Sequence, residues 1–218
     1  MSKVVSLCGV ERGDFVYYVA ALLSMSGKAV LVIDNSYSND IYGSVSDFDA
    51  TSEKDYIIKQ NITYIKNVSY NSDVEEIYDY ILIWHGMNVQ ESELMQSEEI
   101  YLMPDYTPMT LLALKDKITD RENLKAVLMR DSVLSNKITE KSVAEYLEIP
   151  DQKIIGIMVY DAKDYENYLA FLYNGEQKFT SLTPNYNDCI KYVVKEILGT
   201  DKKTVDKLFA KSKKAKTF

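Results

Sequence analysis

Cysteine, histidine and tryptophan are scarce in this chain: 218 residues carry two cysteines, one histidine and one tryptophan. Cys8 and Cys189 lie far apart, and Cys8 falls in an apolar strand pattern. That excludes a disulfide framework and implies a reducing, cytoplasmic setting. A lone His85 offers no Cys/His spacing for zinc and no partnered nucleophile, so it reads as a hydrogen-bonded structural residue. No apolar run approaches the roughly 20 residues of a membrane span. The chain enters a strand at once, without the charged and apolar regions of a signal peptide. Positive charge is also short. With 25 Lys and Arg against 33 Asp and Glu the net charge is −8, which argues against a surface lying mainly on nucleic acid.

What remains is a regular alternation. Short, nearly continuous apolar runs predict strands at 3–8, 29–34, 62–66, 80–84, 100–103, 125–129 and 154–159. Amphipathic segments predict helices at 14–26, 52–59, 89–97, 107–118, 140–148, 163–172 and 187–198. This order predicts an α/β fold: a single doubly wound, mostly parallel sheet with helices on both faces, spanning residues 1–199. Residues 200–218 differ. Seven lysines oppose only Asp201 and Asp206 there, and Val205, Leu208 and Phe209 share one helical face. The expectation is a basic amphipathic or flexible tail whose Lys207, Leu208, Phe209, Lys211, Lys213 and Lys214 contact membrane, DNA or an acidic partner.

A second shortage is local: no lysine occurs between Lys3 and Lys28. The run Val4-Val5-Ser6-Leu7-Cys8-Gly9-Val10-Glu11-Arg12-Gly13-Asp14-Phe15 leads from a strand through a glycine turn into a helix. It is placed like a phosphate-binding loop, where backbone N–H groups cradle phosphates and a lysine reaches their outer oxygens. Here the cation is absent, and Arg12 is the one basic side chain available. Arginine binds phosphate bidentately, which leaves residual anion binding at Gly9, Glu11, Arg12 and Gly13 open.

The strand Gly27-Lys28-Ala29-Val30-Leu31-Val32-Ile33-Asp34, with the loop before it, resembles the opening of ParA/MinD-type proteins, the deviant Walker P-loop ATPases. Tyr78–Trp84 resembles their Walker B strand. Glu99–Met103 with Thr107-Pro108 resembles the next strand and helix, and Val127–Arg130 the strand whose end contacts the base. Carried over residue by residue, Asp34 matches the family aspartate that ends the second strand, a vestigial nucleotide-site position. Ser36, Trp84 and Met129 stand where that pattern has a switch aspartate, the magnesium-shell aspartate and an adenine-contacting asparagine. The stretch from Ile138 to Pro150, with Ile157–Asp161 and Tyr173-Asn174-Gly175, resembles the CpaE/TadZ branch, the localisation factors of tight-adherence pili.

The resemblance implies a P-loop NTPase-like fold, and the four replacements imply loss of magnesium-dependent hydrolysis. It implies no cofactor, with residual ATP binding left open, and a cytoplasmic chain with peripheral membrane contact as an alternative. Its partners are proteins, a second copy first among them. Trp84 and Met129 are expected to fill the nucleotide space, and Ser36, Tyr37 and Tyr42 to face a partner, since tyrosine suits interfaces. The leading expectation is a non-hydrolysing interaction and positioning module in pilus, secretion, conjugation or partition machinery. Two others stand beside it: an atypical ATPase using Arg12, and a DNA-partition accessory binding through the basic tail.

Overall fold

The computed structural model describes residues 2–46, 56–70, 77–118, 121–133, 137–175 and 178–214. One sheet organises them, with strand order β3-β4-β2-β5-β1-β6-β7-β8. Its members are β1 (Lys3–Gly9), β2 (Val30–Asp34), β3 (Ile57–Lys59), β4 (Ile62–Lys66), β5 (Tyr80–Gly86), β6 (Glu99–Met103), β7 (Leu124–Ser132) and β8 (Ile154–Val159). All pairings are parallel except β3 with β4. Strands β1, β2 and β5 are buried almost throughout, as strands covered on both faces must be.

The helices are α1 (Asp14–Met25), α2 (Asp40–Val45), α3 (Glu91–Gln96), α4 (Pro108–Ile118), α5 (Glu140–Leu147), α6 (Ala162–Asn174), α7 (Pro184–Leu198) and α8 (Lys202–Ser212). One core joins α1, α7 and α8 to the sheet; a second lies on the other face between the sheet and α3, α4 and α5. Helix α1 is apolar all round because it is enclosed between the sheet and α7 and α8; every residue from Asp14 to Leu23 is buried. Local chemistry sets the other helix ends. Thr183 caps α7 through the Tyr186 N–H, Pro184 starts it, and Gly199 at φ 59° ends it. Asp201 then caps α8 by accepting from the Thr204 N–H at 2.7 Å.

Two expectations change and a third is narrowed. Residues 57–59, expected in a helix over 52–59, form the antiparallel strand β3; residues 52–55 lie outside the described set. Ile57 pairs with Tyr64 and Lys59 with Ile62, around a turn at Gln60 and Asn61, both with positive φ. That two-residue turn decides the matter, because it folds the segment back along β4. Residues 40–45, expected in a loop, form helix α2. Of the amphipathic and flexible alternatives for the tail, residues 202–212 take the first, as helix α8 with Val205, Phe209 and Ser212 buried; residues 215–218 lie outside the described set.

The sheet order reverses at β1. From β1 the chain moves outward to β2 on one side and later to β6 on the other. In an open α/β sheet the crevice beyond the strand ends at such a reversal is where ligands bind. The Gly9–Gly13 loop leaves β1 at this place.

Candidate functional site at the first loop

The loop closes tightly onto the sheet. Gly9 has φ +146°, and a Cβ there would lie 2.1 Å from the Met103 carbonyl oxygen. Val10 donates its N–H to that same carbonyl at 3.1 Å. Gly9→Ala is therefore expected to destabilise the fold by about 1–3 kcal/mol through backbone displacement. A urea midpoint equal to that of the parent protein would contradict this geometry.

The loop's own side chains face inward to the protein. Glu11 accepts from the Met87 N–H at 2.9 Å and from the Ser38 hydroxyl at 2.8 Å, tying the loop to the ends of β5 and β2. Arg12 is 7% exposed and donates to Asp131 at 2.8 Å. Its guanidinium lies over the rings of Tyr168 and Tyr165, 4.7 and 5.5 Å from their centroids. The one basic side chain of the loop is thus held by a carboxylate and two aromatic rings.

The N-terminus of α1 is occupied by the chain itself. Gly13 donates its N–H to Asp40 Oδ2 at 2.6 Å, and Trp84 Nε1 reaches Asp40 Oδ1 at 3.3 Å. A Cβ on Gly13 would meet Ile41 at 2.3 Å and Asp40 at 2.7 Å, so only glycine lets α2 approach this closely. A helix N-terminus favours negative charge, and Asp40 supplies it. Burial pushes the Asp40 carboxyl above its ordinary value, while the Gly13 N–H pulls it back down. Asp14, the first residue of α1, accepts from Arg130 at 3.0 Å and from the Tyr186 hydroxyl at 2.7 Å. Arg130 is 1% exposed and also donates to the Arg12 carbonyl and the Tyr186 hydroxyl. Asp131 and Asp14 hold Arg12 and Arg130, and Asp40 has Asp14, Glu11 and Asp34 near it, an excess of carboxylates hostile to a polyphosphate.

Asp34, at the end of β2, holds α2 in this position. Its Oδ1 accepts from the Ser36 N–H and hydroxyl, at 3.2 and 2.6 Å. Its Oδ2 accepts from the Ile41 and Tyr42 N–H groups, both at 3.0 Å. Burial, with the Asp40 charge beside it, pushes the Asp34 carboxyl up to about 7 against those donors. His85 lies within β5, its Nε2 2.9 Å from the Ser6 hydroxyl and its Nδ1 3.4 Å from Glu93. Burial pushes that imidazole down to about 4. Ser6, His85 and Glu93 line up as a hydroxyl, imidazole and carboxylate, but all three are buried between the sheet and α3, so no substrate reaches them.

These two groups give opposite pH dependences. A free aspartate titrates near ~4 and a free histidine near ~6.5. Between those values and their folded ones, Asp34 binds more protons in the folded state and His85 fewer. The Asp34 contribution thus weakens as pH rises from 4 to 7, and the His85 contribution strengthens over nearly the same range, each by up to about 1.4 kcal/mol per pH unit. Relative to the parent protein, His85→Asn is expected to lose stability with rising pH in this window, and Asp34→Asn to gain it. Urea denaturation at several pH values checks this; parallel difference curves would refute it.

The other expected site residues are placed as follows. Trp84 is fully buried with its ring in the core and its indole N–H on Asp40. Met129 is buried in the opposite core, beneath α4 and α5. Ser36 is buried on Asp34; Tyr42 is 4% exposed, with Lys66 over its ring at 4.6 Å. Tyr37, by contrast, is 73% exposed beside the site. The four lysines of α8, and Lys213 and Lys214 after it, are exposed, but Phe209 is 3% exposed and packs edge-on against Phe179 at 5.4 Å. Leu208 is half-buried against the same core. Phe209 is therefore withdrawn from any membrane or DNA surface. Four residues of the site were not singled out from the sequence: Asp14, Asp40, Arg130 and Tyr168. Asp14 carried a signal, a carboxylate at the first turn after a glycine loop. Among the described residues no cluster of histidine, cysteine and carboxylate side chains could hold a metal ion, and no helix is long and apolar enough to cross a membrane.

The architecture matches solved structures over nearly its whole length. MinD in the MinC:MinD cell division complex of Aquifex aeolicus superposes with a TM-score of 0.70 at 15% identity, covering 92% of this chain and 97% of that one. The fold is that of MinD and ParA. A ParA family ATPase of Chlorobium tepidum TLS gives a TM-score of 0.54 at 12% identity, with 96% and 98% of the two chains covered. The pNOB8 ParA bound to nonspecific DNA gives 0.56 at 14%, with 92% and 100% covered. No family model matches the sequence, and no curated protein matches it. On the ParA/MinD-like scaffold, the loop after β1 corresponds to the Gly9–Gly13 segment, with Asp40 seated at its helix N-terminus.

Proposed function

We propose that this chain is a non-hydrolysing ParA/MinD-like protein, an interaction and positioning module within a larger assembly of the pilus, secretion, conjugation or partition kind. One observation carries the reading: Asp40 takes the Gly13 N–H that a phosphate would need, at 2.6 Å. An incoming polyphosphate must displace a buried carboxylate, enter a carboxylate-rich site and do so without a loop lysine. The loop instead serves as structure, and the exposed Tyr37 beside it belongs to a surface for a second copy or another assembly component. The solved MinD is in complex with a protein, MinC, which supports a protein partner for the same fold.

Calorimetric titration with ATP and magnesium, paired with a phosphate-release assay, tests this. The expected result is no heat of binding at millimolar nucleotide and no turnover above the buffer blank; steady turnover overturns the reading. The atypical-ATPase alternative needs Arg12 free for a phosphate, whereas it is engaged by Asp131 and two tyrosines. A DNA-contacting role through α8 is favoured by one feature, the outward row Lys202, Lys203, Lys207, Lys211, Lys213 and Lys214. Retention on DNA that falls steeply with salt, and that is lost on changing three of these lysines to glutamate, is the signature of that role.

A further inference from the structure

Helices α7 and α8 meet as a hairpin, with Gly199 ending the first and Asp201 capping the second. Asp188, Lys191, Tyr192 and Lys195 recur at i, i+3, i+4 and i+7, so they share one face of α7. The first turn of α8 brings Lys202 and Val205 to that face, and these six residues line a groove of about 360 Å³. That lies at the small end of the ~300–1,000 Å³ of ligand pockets. Val205, 1% exposed, and the half-buried Tyr192 supply its apolar wall. Its charged lining is Lys191, Lys195 and Lys202 against Asp188 alone. Lys191 reaches Asp206 at 2.9 Å and Asp188 at 3.8 Å, and Lys195 reaches Glu196 at 2.9 Å. An ammonium carries three donors, so neither lysine is used up by these contacts. Lys202 is exposed and forms no ion pair among the described residues.

We propose that the α7–α8 groove docks an acidic segment of a partner protein. An aromatic or branched apolar side chain of that segment enters beside Tyr192 and Val205, and flanking Asp or Glu side chains reach Lys195 and Lys202. Charge complementarity selects an anionic occupant, since cations outnumber carboxylates in the lining. Two features then favour a peptide over DNA or an anionic bilayer. The apolar wall of a concave groove gains nothing from a phosphate backbone or a flat headgroup layer. The carboxylates of Asp188, Asp206 and Glu196 also stand among the lysines, so a uniformly negative surface meets repulsion together with attraction. A peptide can place discrete carboxylates against the cations alone. The groove shares no residue with the Gly9–Gly13 loop site, so this docking and the absence of nucleotide turnover stand or fall separately.

Panning a displayed library of random heptapeptides on the full chain tests the proposal. Enriched peptides are expected to combine an aromatic or branched apolar residue with several carboxylates, and a labelled copy of the leading peptide to bind saturably. Lys202→Glu places an acidic residue in the first turn of α8, where a helix favours negative charge, so the fold is kept. It is expected to weaken peptide binding by about tenfold or more with unchanged circular dichroism. Lys211→Glu, on α8 outside the groove, is expected to leave that binding within about twofold. Lysine acylation read by mass spectrometry needs no variant: the peptide must protect Lys195 and Lys202 on the parent protein while Lys211 reacts as before. Enrichment of peptides without carboxylates, no enrichment, equal binding by Lys202→Glu, or no protection at Lys195 and Lys202 overturns the proposal. So does displacement of the peptide from the groove by duplex DNA or phosphatidylserine vesicles whose own binding falls equally with Lys202→Glu and Lys211→Glu, since a polyanion then holds the whole row. A parent chain that self-associates in sedimentation and dissociates with Lys202→Glu gives the groove to a second copy and overturns it equally.

Discussion

Arg130→Met is expected to destabilise the protein by about 3–5 kcal/mol, among the largest effects of any single substitution near the site. Arg130 is 1% exposed and ties three separate segments together: Asp14 at the start of α1, the Arg12 carbonyl in the loop, and the Tyr186 hydroxyl on α7. Methionine fills similar volume, so the loss is electrostatic. It strands Asp14 beside the Tyr186 hydroxyl with Arg12 as its remaining cation, at 3.8 Å and without a hydrogen bond between them. Leaving one partner of a buried ion pair uncompensated costs far more than the pair contributes when intact. The double variant Asp14→Leu with Arg130→Met is accordingly expected to recover most of the loss. Urea denaturation of the two singles and the double gives the coupling directly, and additive losses would contradict the account. The same cycle probes function, because an arginine reserved for a ligand would not depend on Asp14 for its place.

That arrangement explains why the scaffold was legible in the sequence and the site was not. The strands at 3–8, 29–34 and 80–84 are nearly continuous apolar runs, and burial on both faces leaves no other pattern for them. Thr183-Pro184 and Gly199 mark the ends of α7 by backbone chemistry that a reader of sequence sees. Helix α2 gave no such signal. Its six residues are too few for a periodic stripe, and what stabilises it is remote: Asp34 accepting two of its N–H groups, and Gly13 allowing it close. The strand β3 was hidden for a related reason, since Ile57-Ile58-Lys59 follows a helix-like stretch and only the pairing with β4 decides its state. The missing lysine pointed to an empty loop. What fills it, a carboxylate 27 residues away, is a tertiary fact that no spacing in the sequence encodes.

The basic terminus makes the same point with an expected effect of similar size. Phe209→Ala is expected to cost about 3–5 kcal/mol, the usual range for a buried phenylalanine, and to lower the melting temperature by roughly 10 °C. The side chain is 3% exposed, meets Phe179 edge to face at 5.4 Å, and has Lys191 and Lys213 over its ring at 5.0 and 5.1 Å. Phe179 in turn packs on Tyr18 of α1, at 4.9 Å. Removing Phe209 thus opens a cavity that reaches the helix following the first loop. If α8 were a tether that only touches a membrane or DNA, Phe209→Ala would leave the melting curve in place and change retention alone. The docked geometry gives the reverse order: Phe209→Ala moves the unfolding transition, whereas Lys207→Ala and Lys211→Ala, both exposed, leave it within about 0.5 kcal/mol. Differential scanning calorimetry on the three variants separates the outcomes. A shift for Phe209 alone assigns the apolar face of α8 to the core and leaves its lysine row as the surface it offers to a partner.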